Sequence, residues 1–224
     1  MDYRAILARV DHTILAPTAT WEQVKTVCDE GLASRTASVC IPPRYVRSAA
    51  GYVGNTLNLC TVAGFPNGYS TPEVKVFETE DAIRGGADEI DMVINLGLVK
   101  AGDWEGLLTE IRGVKQACNG RILKVIVEAC LLTQPEKEML CRLVSMSGAD
   151  FIKTSTGFSS GGASLEDIVL FRALCSPELR IKAAGGIRTF ETAQAFLVAG
   201  ADRIGSSHLV SLARENIAAQ AAIQ

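Results

Sequence analysis

With 224 residues, 48% of them hydrophobic and 21% charged, the chain has the profile of a globular protein able to bury a full core. A net charge of −3 leaves no basic excess, which argues against nucleic acid as a partner and requires any anion site to be local. Met1 to Ala8 lack the apolar run of a signal peptide, and no segment approaches the roughly 20 apolar residues of a membrane span, so a cytoplasmic protein with no membrane partner is expected.

Seven cysteines, an odd number with no C-x-x-C pair, fit a reduced compartment and buried thiols. The two histidines, His12 and His208, have no ligand spacing, so neither a zinc site nor any cofactor is expected, and chelators should leave function untouched.

Short β-rich runs alternate with helical patterns along the whole chain. The predicted strands are Val10–Leu15, Thr36–Ile41, Asn58–Gly64, Glu89–Asn95, Ile122–Glu128, Phe151–Ser155, Arg180–Ala184 and Arg203–Ser206. Helices are predicted near Trp21–Gly31, Pro43–Val53, Thr71–Gly85, Asp103–Ala117, Pro135–Ser147, Ser164–Leu174 and Thr189–Ala199, with a last one from near Ser207. Strands each followed by a helix are parallel βα units, and their compact spacing suits an α/β (β/α)8 TIM barrel better than an open sheet. The fragment Gly-Ala-Asp recurs at 86–88, 148–150 and 200–202, each time joining a helix end to a strand. These are αβ loops on the barrel floor, so chemistry belongs at the opposite end. No composition shift divides the chain, and residues 1–224 read as a single domain.

Alternation along each strand sorts side chains between the barrel interior and the helices. Ile90, Met92 and Ile94 face outward, leaving Glu89, Asp91, Val93 and Asn95 inside. Leu123, Val125 and Val127 likewise leave Lys124, Ile126 and Glu128 inside. Lys153 and Lys182 point inward, as do Asp11 and Thr13 on the first strand and Ser38 and Cys40 on the second, whereas His12 faces the helices. Barrel cores are ordinarily apolar, so an interior with charges of both signs requires pairing. Asp91, Lys153 and Lys182 are expected to converge at the upper rim, with Lys124, Glu89 and Glu128 balancing charge nearby.

Such a cluster permits amine chemistry. A lysine attacks a carbonyl only when neutral, and at its ordinary pKa only about one in 2,500 is neutral at pH 7. A second ammonium, here Lys182, disfavours charging of its neighbour, and a carboxylate such as Asp91 can carry protons between intermediates. The residues therefore specify class I aldolase chemistry, with a purely structural salt-bridge plug as the alternative. Gly185-Gly186 after the seventh strand and Gly205-Ser206-Ser207 after the eighth match the usual barrel phosphate site, where backbone N–H groups and a helix N-terminus meet the anion.

Together, Lys153-Thr154-Ser155-Thr156-Gly157-Phe158, Glu89-Ile90-Asp91-Met92-Val93-Ile94-Asn95, Gly64-Phe65-Pro66-Asn67-Gly68 and Lys182-Ala183-Ala184-Gly185-Gly186-Ile187-Arg188-Thr189 resemble deoxyribose-phosphate aldolase. Asp11-His12-Thr13 and Lys124-Val125-Ile126-Val127-Glu128 are also similar to that family. The resemblance implies a cytoplasmic lyase of deoxyribonucleotide catabolism that reversibly cleaves 2-deoxy-D-ribose 5-phosphate to D-glyceraldehyde 3-phosphate and acetaldehyde. It implies Lys153 as Schiff-base lysine, Asp91 as proton carrier, Lys182 as second lysine, Asp11 and Cys40 as residues at the site, and a homodimer. It also places Thr156 and Gly157 beside the phosphate, with Gly185, Gly186, Gly205 and Ser207. The chain departs from the family at Ile41-Pro42, at Phe158, where some members have a lysine, and at His208, where a serine is common. His208 reads as a capping or surface residue, and Cys40 as packing. The remaining alternatives are an aldolase of another sugar phosphate, a metal-free epimerase, and a barrel that only binds a sugar phosphate.

Overall fold

The structure, a computed structural model, describes residues 2–221. Eight strands form one closed parallel barrel in sequence order: β1 (Val10–Thr13), β2 (Ser38–Cys40), β3 (Leu59–Ala63), β4 (Glu89–Val93), β5 (Ile122–Ile126), β6 (Phe151–Lys153), β7 (Arg180–Ala184) and β8 (Arg203–Ser206). The helices are α1 (Tyr3–Leu7), α2 (Trp21–Ser34), α3 (Val46–Val53), α4 (Pro72–Gly85), α5 (Leu96–Ala101), α6 (Trp104–Ala117), α7 (Gln134–Met146), α8 (Leu165–Leu174), α9 (Phe190–Ala199) and α10 (Leu209–Ala221). None of them is long and apolar enough to cross a membrane among the described residues.

Local chemistry sets the helix starts. Thr20 with Gln23 and Thr133 with Glu136 form capping boxes at α2 and α7. Ser164 and Thr189 each accept a backbone N–H at the start of α8 and α9. Two short helices were absent from the sequence reading. In α1, Asp2 accepts from the N–H groups of Arg4 and Ala5, and in α5, Asn95 accepts from Gly97 before Gly102 ends the helix in the left-handed region. Both are too short to show a helical period.

The principal core lies between barrel and helices, where Ile90, Met92, Ile94, Leu123, Val125, Val127, Ile152 and Ile181 are buried as their alternation requires. Inside the barrel, beside the charges, lies a small cluster of Cys40, Cys60 and Val62, with Leu15 and Phe65 packed against it. The first six strands are each shorter than predicted, and in β5 the shortening changes where a side chain points. Glu128 adopts φ 51° and ψ 61°, so alternation stops after Val127. Its carboxylate holds the Thr156 hydroxyl and N–H and takes no part in the interior cluster, which corrects its expected place beside Lys124.

The Gly-Ala-Asp repeats form a regular device on the floor. Asp88, Asp150 and Asp202 accept from the N–H groups of Leu59, Leu123 and Ile181 at 3.0, 2.7 and 2.8 Å. Each also donates its own N–H to the carbonyl of the same residue. Arg121, Lys115 and Arg172 neutralise the three carboxylates in turn. Every clasp joins an odd-numbered strand to the segment entering the next even one. At the corresponding place before β2 stands Ala37, which keeps only the backbone bond to Val10 at 2.9 Å.

Candidate active site

The interior is layered from the floor upward. Phe151 lies lowest, with the Arg180 guanidinium 4.1 Å and the Arg203 guanidinium 5.4 Å from its ring centre. Above it, Arg203 pairs with Asp11 at 2.5 Å and Glu89 at 3.2 Å. Lys124 bridges Glu89 at 2.6 Å and Asp91 at 2.7 Å, and Ser38 donates to Asp11 at 2.8 Å. At the top, Asp91 Oδ2 meets both Lys153 Nζ and Lys182 Nζ at 2.7 Å, and Lys182 also reaches Asp11 at 2.5 Å. The predicted convergence of Asp91, Lys153 and Lys182 is thus present, with Lys124 at its centre and Arg203, which sequence reasoning missed, below it. At the start of a strand, Arg203 reads as a solvated end. Only its register against Lys182, between β7 and β8, turns it inward.

Three carboxylates (Asp11, Glu89, Asp91) therefore face four cations (Lys124, Lys153, Lys182, Arg203). Burial pushes Asp91 upward, but Lys124, Lys153 and Lys182 outweigh it and hold the carboxyl well below the usual range. For Asp11, too, burial is overcome by Lys182, Lys124 and Arg203. Burial works against charge on Lys182, yet Asp11 and Asp91 keep its ammonium well above the ordinary lysine value. Lys182 is therefore a fixed positive charge beside Lys153. Burial, with Asp91 nearby, keeps the Cys60 thiol protonated, and its sulfur lies 3.2 Å from Asp91 Oδ1.

A cavity of about 450 Å³ opens above this cluster at the C-terminal end of the barrel. Of the seven interior charges, only Lys153 lines it. Thr156, Gly157, Gly185, Gly186, Gly205, Ser206 and Ser207 also line it, together with Thr13 to Pro17, Phe158 and Arg188. Asp11 and Cys40 do not. Asp11 is committed to Lys182, Arg203 and Ser38 below the cavity, and Cys40 packs beside its register partner Cys60. Of the Thr13–Pro17 wall only Thr13, an inward-facing position of β1, was expected; Ile14 to Pro17 are loop without motif.

The phosphate-type loops are built from close backbone packing. A side chain on Gly162 would overlap the Gly185 carbonyl, and Ala163 donates to that carbonyl at 3.2 Å, tying the loop after β6 to the loop after β7. Gly185 and Gly186 have φ of 89° and 79°, a region costly for residues with a Cβ. Their N–H groups, and that of Ser207, have no protein partner among the described residues. Ser206 plays a different part from the one expected. Its hydroxyl donates to Ile187 O and accepts from the N–H groups of His208 and Leu209, closing the start of α10.

Donor atoms of Cys40, Cys60 and Asp91, and of Asp11, Cys60 and Glu89, lie close enough together to hold a metal ion. Sequence spacing gave no hint of either set, since the residues come from separate strands. Their carboxylates already carry Lys124, Lys153, Lys182 and Arg203, so a cation there would have to displace ammonium or guanidinium groups.

Residues 5–210 match the model of the DeoC/LacD family aldolases. The chain belongs to that family. It is 54% identical over 214 residues to a deoxyribose-phosphate aldolase of Streptococcus pyogenes, covering 96% of either chain. A Streptococcus agalactiae deoxyribose-phosphate aldolase is 53% identical over the same shares. Among solved structures of the family, the tetrameric deoxyribose phosphate aldolase of Aeropyrum pernix superposes with a TM-score of 0.86. It is 33% identical, and the match covers 93% of this chain and 89% of that one. The barrel architecture read from strand alternation is that of the DeoC/LacD relatives.

Proposed function

We propose that this chain, as one cytoplasmic domain, reversibly cleaves 2-deoxy-D-ribose 5-phosphate to D-glyceraldehyde 3-phosphate and acetaldehyde through a Schiff base on Lys153. The reading is carried by one observation: Lys153 alone links the interior charges to the cavity, with its Nζ 2.7 Å from Asp91. Aldolase identity at 54% over nearly the whole chain supports the reaction.

In this mechanism the neutral amine of Lys153 adds to C1 of the open-chain sugar. Asp91 carries the protons that convert the carbinolamine to an iminium with loss of water. The iminium draws the C2–C3 bonding electrons toward nitrogen, and the C3 hydroxyl loses its proton as that bond breaks. Glyceraldehyde 3-phosphate leaves and an enamine remains. Protonation at C2 and addition of water release acetaldehyde and return the amine. Lys182, fixed as ammonium by Asp11 and Asp91, shares the Asp91 carboxylate with Lys153 and stands as a positive charge beside the reacting amine. The unpartnered N–H groups of Gly185, Gly186 and Ser207 receive the 5-phosphate. Assembly as a homodimer belongs to the same proposal, although the A. pernix relative is tetrameric.

Borohydride reduction in the presence of acetaldehyde tests the reading. One reduced two-carbon adduct on Lys153, located by peptide mass spectrometry, is the expected result. A catalytically active protein whose adduct forms on another residue, or not at all, would refute it. A barrel that merely binds a sugar phosphate gives no adduct and no turnover.

A further inference from the structure

The basic side chains that line the cavity are Lys153, Arg188 and His208, and no carboxylate lines it. An anion entering here therefore meets no like charge, and because Ile14 to Pro17, Phe158 and Ile187 are apolar, its partners must be these side chains, the hydroxyls and the backbone N–H groups. The backbone supply at the start of α10 is smaller than its position suggests, because Ser206 Oγ already accepts from His208 N at 3.1 Å and Leu209 N at 3.4 Å. Two N–H groups that would otherwise point at an anion are taken.

The His208 side chain stands beside this closed end. Its Nδ1 lies 2.8 Å from Ser207 Oγ, and Ser207 is itself part of the cavity wall. When the hydroxyl donates to Nδ1, the imidazole carries its proton on Nε2, and the ring is held in one orientation by its neighbour.

We propose that His208, oriented by Ser207, is a specificity-determining residue that donates from Nε2 to the substrate phosphate, in place of the N–H groups that Ser206 occupies. This rests on the phosphate reading of the cavity given above. It changes the sequence-based view of His208 from a capping or surface residue to a ligand for the anion.

The test compares kcat/KM for deoxyribose 5-phosphate and for unphosphorylated deoxyribose in the full chain and in His208→Ala and His208→Gln. A hydrogen bond to a charged group predicts about a tenfold fall in the phosphate preference of His208→Ala, residing in KM rather than kcat. His208→Gln, which keeps a neutral donor, should recover part of it. Competitive inhibition by inorganic phosphate should weaken in His208→Ala to a similar degree. An unchanged preference in His208→Ala overturns the assignment to His208 while leaving the phosphate lobe intact. Equal losses on both sugars also overturn it, since His208 would then only support the loop. A parent enzyme indifferent to the phosphate overturns the lobe itself, and the assignment with it.

Discussion

Two buried sets of charges lie on opposite faces of β4, and they obey different balances. Inside the barrel, Asp91 is surrounded by Lys124, Lys153, Lys182 and the Cys60 thiol. Behind the strand, Lys75 of α4 and Glu110 of α6 form a fully buried pair at 2.8 Å, with Lys75 also donating to Val93 O and Asn95 N donating to Glu110. In the pair, burial wins: it lowers the Lys75 value and raises that of Glu110, despite their attraction. In the cluster, attraction wins, and Asp11 and Asp91 are driven down while Lys124 and Lys182 are driven up. One partner does not compensate for removal from water, whereas three do. The pair anchors the end of a strand. The cluster holds ions fixed next to a cavity, and through its surplus cation it is suited to chemistry.

Changes on each side of β4 can break that contrast. The largest effect is expected from Lys153→Leu: turnover should fall by at least about ten-thousandfold with the fold retained by circular dichroism, because no other interior charge reaches the cavity. Residual turnover above a hundredth would move the nucleophile elsewhere. Asp11→Asn should cost about 3–5 kcal/mol in urea unfolding, since it leaves Lys182 and Arg203 short of a counter-charge. Its pH dependence has a definite sign. The folded Asp11 value lies below the ordinary carboxylate value, so its stabilisation is present above about pH 3.9 and is lost as pH falls through the folded value. The stability gap to Asp11→Asn should therefore persist from pH 7 down to about 4 and shrink only below it.

Lys75→Met should lower stability by about 3 kcal/mol in the same unfolding assay while kcat stays within a few-fold, because Glu110 loses its ammonium and neither residue lines the cavity. A hundredfold loss of kcat there would join the two regions into one functional unit. Lys182→Leu should reduce turnover about a hundredfold at pH 7 and move the rate profile to higher pH. An unmoved profile would remove Lys182 from activation of the amine. At the small end, Arg84→Ala breaks an exposed pair with Glu80 and Asp81 and should change stability by less than about 0.5 kcal/mol.

Alternation carried most of the barrel and the core of the site. Wherever the backbone is extended, as at Asp91, Lys153 and Lys182, facing follows from position parity, and the convergence was legible. It failed where the backbone leaves the extended region, as at Glu128 with φ 51°. It was also silent about contacts between distant strands, which is why Arg203 under Lys182 and the sulfur of Cys60 beside Asp91 went unforeseen. Residues assigned by resemblance fared according to geometry: Gly185, Gly186 and Ser207 line the cavity, whereas Asp11 and Cys40 lie beneath it. Hydroxyls were the least legible, because Ser206 and Thr156 could serve a ligand or their own loop, and both hydrogen-bond within the protein.

The floor clasps have a consequence for motion. Aspartates secure β3, β5 and β7 from below, but the entry to β2 carries Ala37 and a single backbone bond to Val10. Of the four junctions that lead from an odd strand to the next even one, three are stitched and one is left as a seam. Amide hydrogen exchange should open along β1–β2 at lower free energy than along the clasped pairs, and Ala37→Asp should slow it there if a nearby cation can settle the new charge. A seam at that place lies under the Thr13–Pro17 wall of the cavity. Breathing of the floor and access to the substrate lobe would then share the same strand.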